Sequence, residues 1–270
     1  MMKGTLWLAV LLCGCASAQI DKPKPLGKIG RLGAISCPVD NGIRVLDVGP
    51  GSPADKAGVK PGDVITKVNS LDLTKPGGRK EFGFAVRSGN AVVLSAKRDN
   101  ADNEFEIQPK LANAAPFDAI DSALFDAVVT GQRVAVAAFV TDVKTTYSST
   151  MAEAMTRRKA GIRNDAETQI EGHLLAPALI RCGNYKVIDR NKTHDVLAGL
   201  GYKAGSTVTD SLMKDVGRMT GATYLLFAAV SNVADTKTGG TNETDLRLVE
   251  IETGNVLATA RLTQKIPEPY

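Results

Sequence analysis

The chain has 270 residues, 43% hydrophobic and 23% charged, the balance of a globular protein of one or two domains that is neither disordered nor fibrous. Its formal net charge is +4, from 33 basic and 29 acidic side chains, with no basic run and no interleaved aromatics, so the footprint of a nucleic-acid binder is missing. Four cysteines and two histidines show no Cys-x-x-Cys or Cys/His cluster, so neither a metal nor a cofactor is expected.

The first residues read as a targeting segment. Lys3 is the only charge before the apolar run Leu6 to Leu12, and the small residues Gly14 to Ala18 follow. A basic start, a short apolar core and a small-residue exit make a secretory signal over residues 1–18. The run is too short to span ~30 Å of hydrocarbon as a permanent helix. Two exits compete. Ala16-Ser17-Ala18 fits ordinary signal cleavage, which would leave a soluble periplasmic protein. Leu12-Cys13-Gly14-Cys15 resembles a bacterial lipobox, which would lipidate Cys15 and hold the protein at the outer membrane by that anchor alone. The Gly14-Cys15 pair at the end of the apolar run favours the second. Residues 19–27, with Lys22-Pro-Lys-Pro25, suit an extended tether.

The next stretch is rich in turn signals. Gly42 to Val48 alternates apolar and polar residues as a strand does, and Gly49-Pro-Gly51 ends it. Ser52-Pro53 sets up a helix start, with Ser as N-cap and Pro at the first helical position, and Gly58 stops the single turn that follows. Val64 to Asn69 reads as a second strand. Ala91 to Arg98 and Glu104 to Ile107 pair across the polar turn Asp99 to Asn103.

The 21 residues from Gly49 to Asn69, Gly-Pro-Gly-Ser-Pro-Ala-Asp-Lys-Ala-Gly-Val-Lys-Pro-Gly-Asp-Val-Ile-Thr-Lys-Val-Asn, resemble the PDZ domains of periplasmic high-temperature-requirement proteases. The resemblance covers most of residues 28–111. It implies a β-sandwich-like domain that binds the free C-terminus or an extended segment of a partner. In that family a loop of backbone N–H groups holds the terminal carboxylate, and the strand after it accepts the peptide as an added strand. The matching loop is Arg31-Leu32-Gly33-Ala34, and the matching groove strand is Ile35-Ser36-Cys37. Phe82 and Val86, at i, i+4 spacing, are the expected helical wall, although Pro76, Gly77, Gly78 and Gly83 weaken that helix at about 1 kcal/mol per interior glycine. The sequence holds no protease site. His173 and His194 lie in the second half, with no Gly-x-Ser-x-Gly elbow near them.

Residues 112–116 read as a linker. Phe117 to Val129 places Phe117, Ile120, Leu124 and Val128 at helical spacing, and Arg133 to Val140 is the apolar strand expected when both sheet faces are covered. Thr141 to Asn164 is polar and suggests a loop and a short helix. A helix is expected over Asp165 to Ile180, kinked at Pro177. A strand over Tyr185 to Asp189, helices over Lys192 to Leu200 and Ser211 to Thr220 (Asp210 as cap, Gly221 as stop) and a strand over Ala222 to Val230 follow. Leu246 to Ile251 and Asn255 to Leu262 form a terminal hairpin, and residues 265–270 a tail. Helices between strands predict a mixed-sheet α/β domain of two or three layers over residues 117–264. Asp189-Arg190 is read as a cap or ion pair at a strand–helix junction, and Asn242-Glu-Thr244 as a chance sequon. Cys37 and Cys182 fall in different domains and read as two small buried apolar residues; pairing would need a docking that brings their Cα atoms within ~7 Å.

Val134-Ala-Val-Ala-Ala-Phe139, Tyr185-Lys-Val-Ile-Asp-Arg190, Gly221-Ala-Thr-Tyr224 and Leu248-Val-Glu-Ile-Glu-Thr-Gly254 are together similar to the curli-assembly (CsgG-like) lipoproteins and to lipoprotein activators of penicillin-binding proteins. That family includes a secretion pore, but Thr141 to Asn164 and Ala234 to Thr244 lack the alternation a barrel strand needs. The expectation is a non-catalytic cell-envelope adaptor with protein partners. The alternative is a homo-oligomeric component of an outer-membrane secretion or assembly complex.

Overall fold

The structure is a computed structural model that describes residues 28–146, 152–175, 182–235 and 239–266. The signal segment, Cys15, the tether and Pro177 lie outside the described residues.

Turn residues divide the first unit as the sequence predicts. Strands β1 (Lys28–Arg31), β2 (Ala34–Val39) and β3 (Gly42–Val48) precede the one-turn helix α1 (Pro53–Lys56), whose N-cap Ser52 accepts from the Asp55 N–H. Then come β4 (Val64–Val68), β5 (Leu71–Asp72), α2 (Pro76–Arg87), β6 (Val92–Arg98), β7 (Ala101–Ile107) and β8 (Lys110–Asn113). The main sheet runs β2-β3-β4-β6-β7, with β5 on β4, and β1 pairs antiparallel with β8 as a separate ribbon. Ile43, Val45, Ile65, Val68, Leu94 and Ile107 fill its core.

Helix α2 is whole. It runs twelve residues from Pro76 to Arg87 despite its glycines, because packing outweighs propensity. Gly78 is required by that packing: a Cβ there would meet the Asp72 carbonyl oxygen at 1.8 Å.

The second unit begins with α3 (Asp118–Val129), followed by β9 (Val134–Thr146), α4 (Ala152–Leu174), β10 (Tyr185–Val187), α5 (Arg190–Gly199), α6 (Asp210–Thr220), β11 (Tyr224–Asp235), β12 (Gly239–Glu250) and β13 (Val256–Ile266). The sheet order is β10-β9-β11-β12-β13, parallel over the first three strands and antiparallel over the last three. Alternation along β9 sends Val134 and Val136 to one face, with α3 and α4, and Ala135, Ala137 and Phe139 to the other, with α5 and α6. The domain therefore has three layers.

Several expectations change. Residues 141–146 extend β9, and a long helix runs from Ala152, so helix α4 starts earlier than predicted. Ala234 and Asp235 end β11 and Gly239 to Thr244 begin β12, and the two strands pair antiparallel. The cap of α6 is Thr209, whose hydroxyl accepts from the Leu212 N–H, while Asp210 occupies the first turn. Gly221 ends that helix at φ +77°, as expected. Asp189 caps α5 by accepting from the Lys192 N–H, while Arg190 reaches Thr168 and Glu171 of α4.

Candidate peptide-binding groove

The predicted loop and strand come together at one edge of the first sheet. Strand β2 is the sheet's end strand, so its outer row of N–H and C=O groups pairs with no other strand among the described residues. Helix α2 stands beside it. Phe82 and Val86 of that helix, Leu32 and Ala34 of the loop and strand, and Val45 and Ile65 of the core line an apolar cavity of about 280 Å³.

The loop owes its shape to Gly33. Its φ is +74°, in the left-handed region that costs an L-residue about 1–2 kcal/mol, and a Cβ there would lie 2.4 Å from the Ser52 Cβ. Two backbone bonds pin the loop to the α1 turn: the Gly49 N–H donates to the Gly33 carbonyl at 2.8 Å, and the Ala54 N–H to the Leu32 carbonyl at 3.0 Å. With those carbonyls turned inward, the loop presents its other side to the cavity.

Two groups of the predicted site have other engagements. Arg31 is half exposed and paired across the units. Its guanidinium grips Asp118 of α3 through both carboxylate oxygens, at 3.0 and 2.7 Å. Cys37 lines neither this cavity nor the next, because its sulfur is bonded to Cys182. The expectation of two unpaired cysteines is thus corrected: the two Cα atoms stand 5.5 Å apart and a disulfide joins the domains.

Helix α3 is what the sequence reading missed at this site. One stripe of it, Ile120, Leu124, Ala127 and Val128, enters the core of its own domain. The opposite stripe, Asp118, Ser122 and Phe125 at spacings of four and three, faces the groove. Phe125 packs against the core of the first unit. A second cavity of about 330 Å³ lies between the two units, walled by Ala34, Ile35, Ser36, Phe82 and Val86 on one side and by Asp118, Ser122, Phe125 and His173 on the other. His173 is fixed by stacking on Phe117 (centroids 3.7 Å apart) and by a 2.8 Å contact of its Nε2 with Asp121 Oδ1. Asp126, one residue past Phe125, lies 3.7 Å from Arg87 of α2. Burial raises its carboxyl above the ordinary range, against the pull of the Arg87 and Lys80 charges.

The remaining histidine is far from this groove in sequence terms and in role. His194 of α5 contacts the buried carboxylate of Glu167 at 3.2 Å, and Glu167 also accepts from the Val140 N–H. Among the described residues no group of three or more His, Cys, Asp or Glu is placed to hold a metal ion, and no helix is long and apolar enough to cross a membrane.

A family model described as "PDZ domain" matches residues 30–108. Those residues form a PDZ domain. The segment is 36% identical over 73 residues to the serine protease HTRA3 of Homo sapiens, covering 27% of this chain and 16% of that protein. It is 29% identical over 70 residues to the putative serine protease HhoB of Synechocystis, covering 26% and 17%. The chain thus spans about a sixth of the curated relatives it matches, and the shared part is the PDZ domain, not their protease domains. Among solved structures, the chain is similar to the HtrA3 PDZ domain bound to a phage-derived ligand, FGRWV, at 34% identity and TM-score 0.26 over 30% of this chain and 70% of that one. It is also similar to the LpoB C-terminal domain from Salmonella enterica, at 15% identity and TM-score 0.33 over 49% and 82%.

Proposed function

We propose that the protein is a non-catalytic adaptor of the cell envelope whose PDZ groove takes the free C-terminus or an extended segment of a partner protein. The observation that carries this reading is the unpaired edge of β2 beside α2, with an apolar cavity of about 280 Å³ behind Arg31 to Ala34. An extended peptide would add as a strand to β2. Its last side chain would enter the cavity, and its carboxylate would meet the backbone N–H groups of the Leu32-Gly33-Ala34 turn. Ile35 and Ser36 would line the peptide's path, and Phe82 and Val86 its far wall. The secretory segment supports a periplasmic location, with Cys15 as the lipid attachment point. The α/β domain would dock the envelope partner.

A pool of displayed heptapeptides with random free C-termini tests the groove. Selection should return apolar terminal residues, and amidating the C-terminus of a selected peptide should abolish its binding. The pentapeptide Phe-Gly-Arg-Trp-Val, the ligand of the HtrA3 domain, is a first single probe. No binder from the pool, whether the Cys37–Cys182 bond is intact or reduced, would refute the groove reading, and binding that survives amidation would refute capture of the free carboxylate. The anchor is tested separately: Cys15→Ala should move the protein from the membrane fraction to the soluble one.

A further inference from the structure

We infer that helix α3 is a built-in cover of the PDZ groove and that the Cys37–Cys182 disulfide is its latch, so that peptide capture depends on the thiol state of this pair. The inference rests on the groove reading above and adds its regulation.

The geometry of the cover comes first. A peptide joining β2 needs the corridor between β2 and α2, and α3 lies against both walls of it. Phe125 packs on the apolar core that a ligand side chain would touch, and Asp118 occupies Arg31 at the mouth of the loop. The cavity between the units is walled on its far side by Asp118, Ser122 and Phe125 of α3. A peptide strand added to β2 would have to displace the Phe125 ring and the Asp118 carboxylate from that space.

The latch follows from counting covalent connections. Strand β8 ends at Asn113 and α3 begins at Asp118, so a short linker joins the two units at the N-terminal end of the helix. One such connection is a hinge, about which the second unit can swing off the groove. The disulfide adds a second connection 145 residues apart in sequence, from the groove strand itself to the residue three before β10. Two separated tethers fix the orientation that one leaves open. Among the described residues, the ion pairs that join the units are an exposed Arg31–Asp118 pair and a longer Arg87–Asp126 pair, and such surface pairs hold weakly. Asp126 Oδ1 is buried there without a hydrogen-bond partner, which weakens the closed arrangement further.

Opening the latch is ordinary exchange chemistry. A dithiol's thiolate attacks one sulfur and breaks the Cys37–Cys182 bond; a second attack within the dithiol releases it as its own disulfide. Two electrons and two protons pass to the protein, leaving two thiols. The groove's apparent affinity is its intrinsic affinity multiplied by the open fraction, so unlatching raises it without changing any contact to the peptide.

The test uses the full chain and a peptide selected on the Cys182→Ser variant from the random C-terminal pool. Its affinity is measured by fluorescence polarisation for the oxidised wild type, the wild type reduced with dithiothreitol, Cys182→Ser and Phe125→Ser. The oxidised wild type should bind at least tenfold more weakly than the other three. Equal affinity for all four forms would overturn the cover and leave the groove reading standing. Tighter binding by Phe125→Ser alone would overturn the disulfide as latch. If neither Cys182→Ser nor Phe125→Ser yields a binder that depends on the free carboxylate, the groove reading falls, and the cover with it.

Discussion

Replacing Gly33 by alanine adds one methyl group at the point where the loop is tightest. Two effects separate cleanly there. The φ of +74° costs an L-residue about 1–2 kcal/mol wherever it occurs. The new Cβ also lands 2.4 Å from the Ser52 Cβ, well inside contact distance, and forcing such a group into a packed site costs about 1–3 kcal/mol. Together they predict a loss of about 2–5 kcal/mol, and at 1.4 kcal/mol per factor of ten amides of the PDZ core should exchange between roughly 30- and 4,000-fold faster. Hydrogen exchange of fragments covering β3 is the assay to use, because melting the whole chain would merge the two units. Ser52→Gly supplies the control. Glycine at an N-cap costs only a few tenths of a kcal/mol, and it removes the atom the methyl strikes. In the double variant the steric part should vanish while the φ part stays, so the cycle should show about 1–3 kcal/mol of coupling. Coupling near zero would refute the claim that the Ser52 contact makes Gly33 necessary.

Two further outcomes follow from buried carboxyls. Asp63 is fully buried and accepts from Arg98 Nε and Nη2 at 2.7 and 2.8 Å and from the Lys60 N–H at 2.9 Å. Asp63→Ala should therefore destabilise the PDZ unit by about 3–5 kcal/mol, read by hydrogen exchange of the same β3 fragments. Burial works to raise this carboxyl, but the Arg98 and Lys60 bonds outweigh it and hold it below the ordinary 3.8. Its contribution is thus present at neutral pH and lost as pH falls from 3.8 through the lowered value, and acid should narrow the gap between variant and wild type. Asp126 has the opposite sign: its carboxyl is raised by burial, so its charged form opposes docking at neutral pH and the penalty fades as pH falls through the raised value. Asp126→Asn should stabilise the closed arrangement at neutral pH by less than about 1 kcal/mol, with the gain disappearing in acid; a lower thermal midpoint at neutral pH would contradict this.

The PDZ part was legible because its signals are local. Gly49-Pro-Gly51, Ser52-Pro53 and Pro61-Gly62-Asp63 each dictate a turn through φ, a cap or a missing N–H, and the structure places strands and α1 between them. Helix α2 was undervalued because glycine propensity is read one residue at a time, whereas Gly78 serves a backbone approach set by Asp72. Helix α3 was found, but only its apolar stripe was visible in the pattern. The stripe facing the groove is one phenylalanine among Asp118, Ser122 and Asp126, which reads as a solvated face. The α4 start escaped for a related reason: residues from Ala152 onward are rich in Arg, Lys and Glu, and the helix buries one row, Ile162, Ala166 and Ile170. The disulfide was beyond local reading, because it depends on how two separately folded units meet.

That meeting gives Arg31 a different meaning from the one its position in the loop suggests. A cation beside a carboxylate-binding turn attracts incoming C-termini when it stands alone. Here the same guanidinium already holds both oxygens of Asp118, so in the closed arrangement its charge is compensated and its directed donors are occupied. On the proposed reading, a peptide carboxylate at the Leu32-Gly33-Ala34 turn and Asp118 would compete for the Arg31 charge. Linkage makes the proposed competition reciprocal: whatever weakens the hold of α3 raises peptide affinity through the open fraction, and a bound peptide would weaken the hold of α3. Salt separates the two contributions. The Arg31–Asp118 pair is half exposed and is screened as ionic strength rises, while the Phe125 contact and the disulfide are not. In the oxidised chain, therefore, added salt cannot release the cover on its own, whereas in the reduced chain the same salt removes one of the few contacts that still hold α3 down.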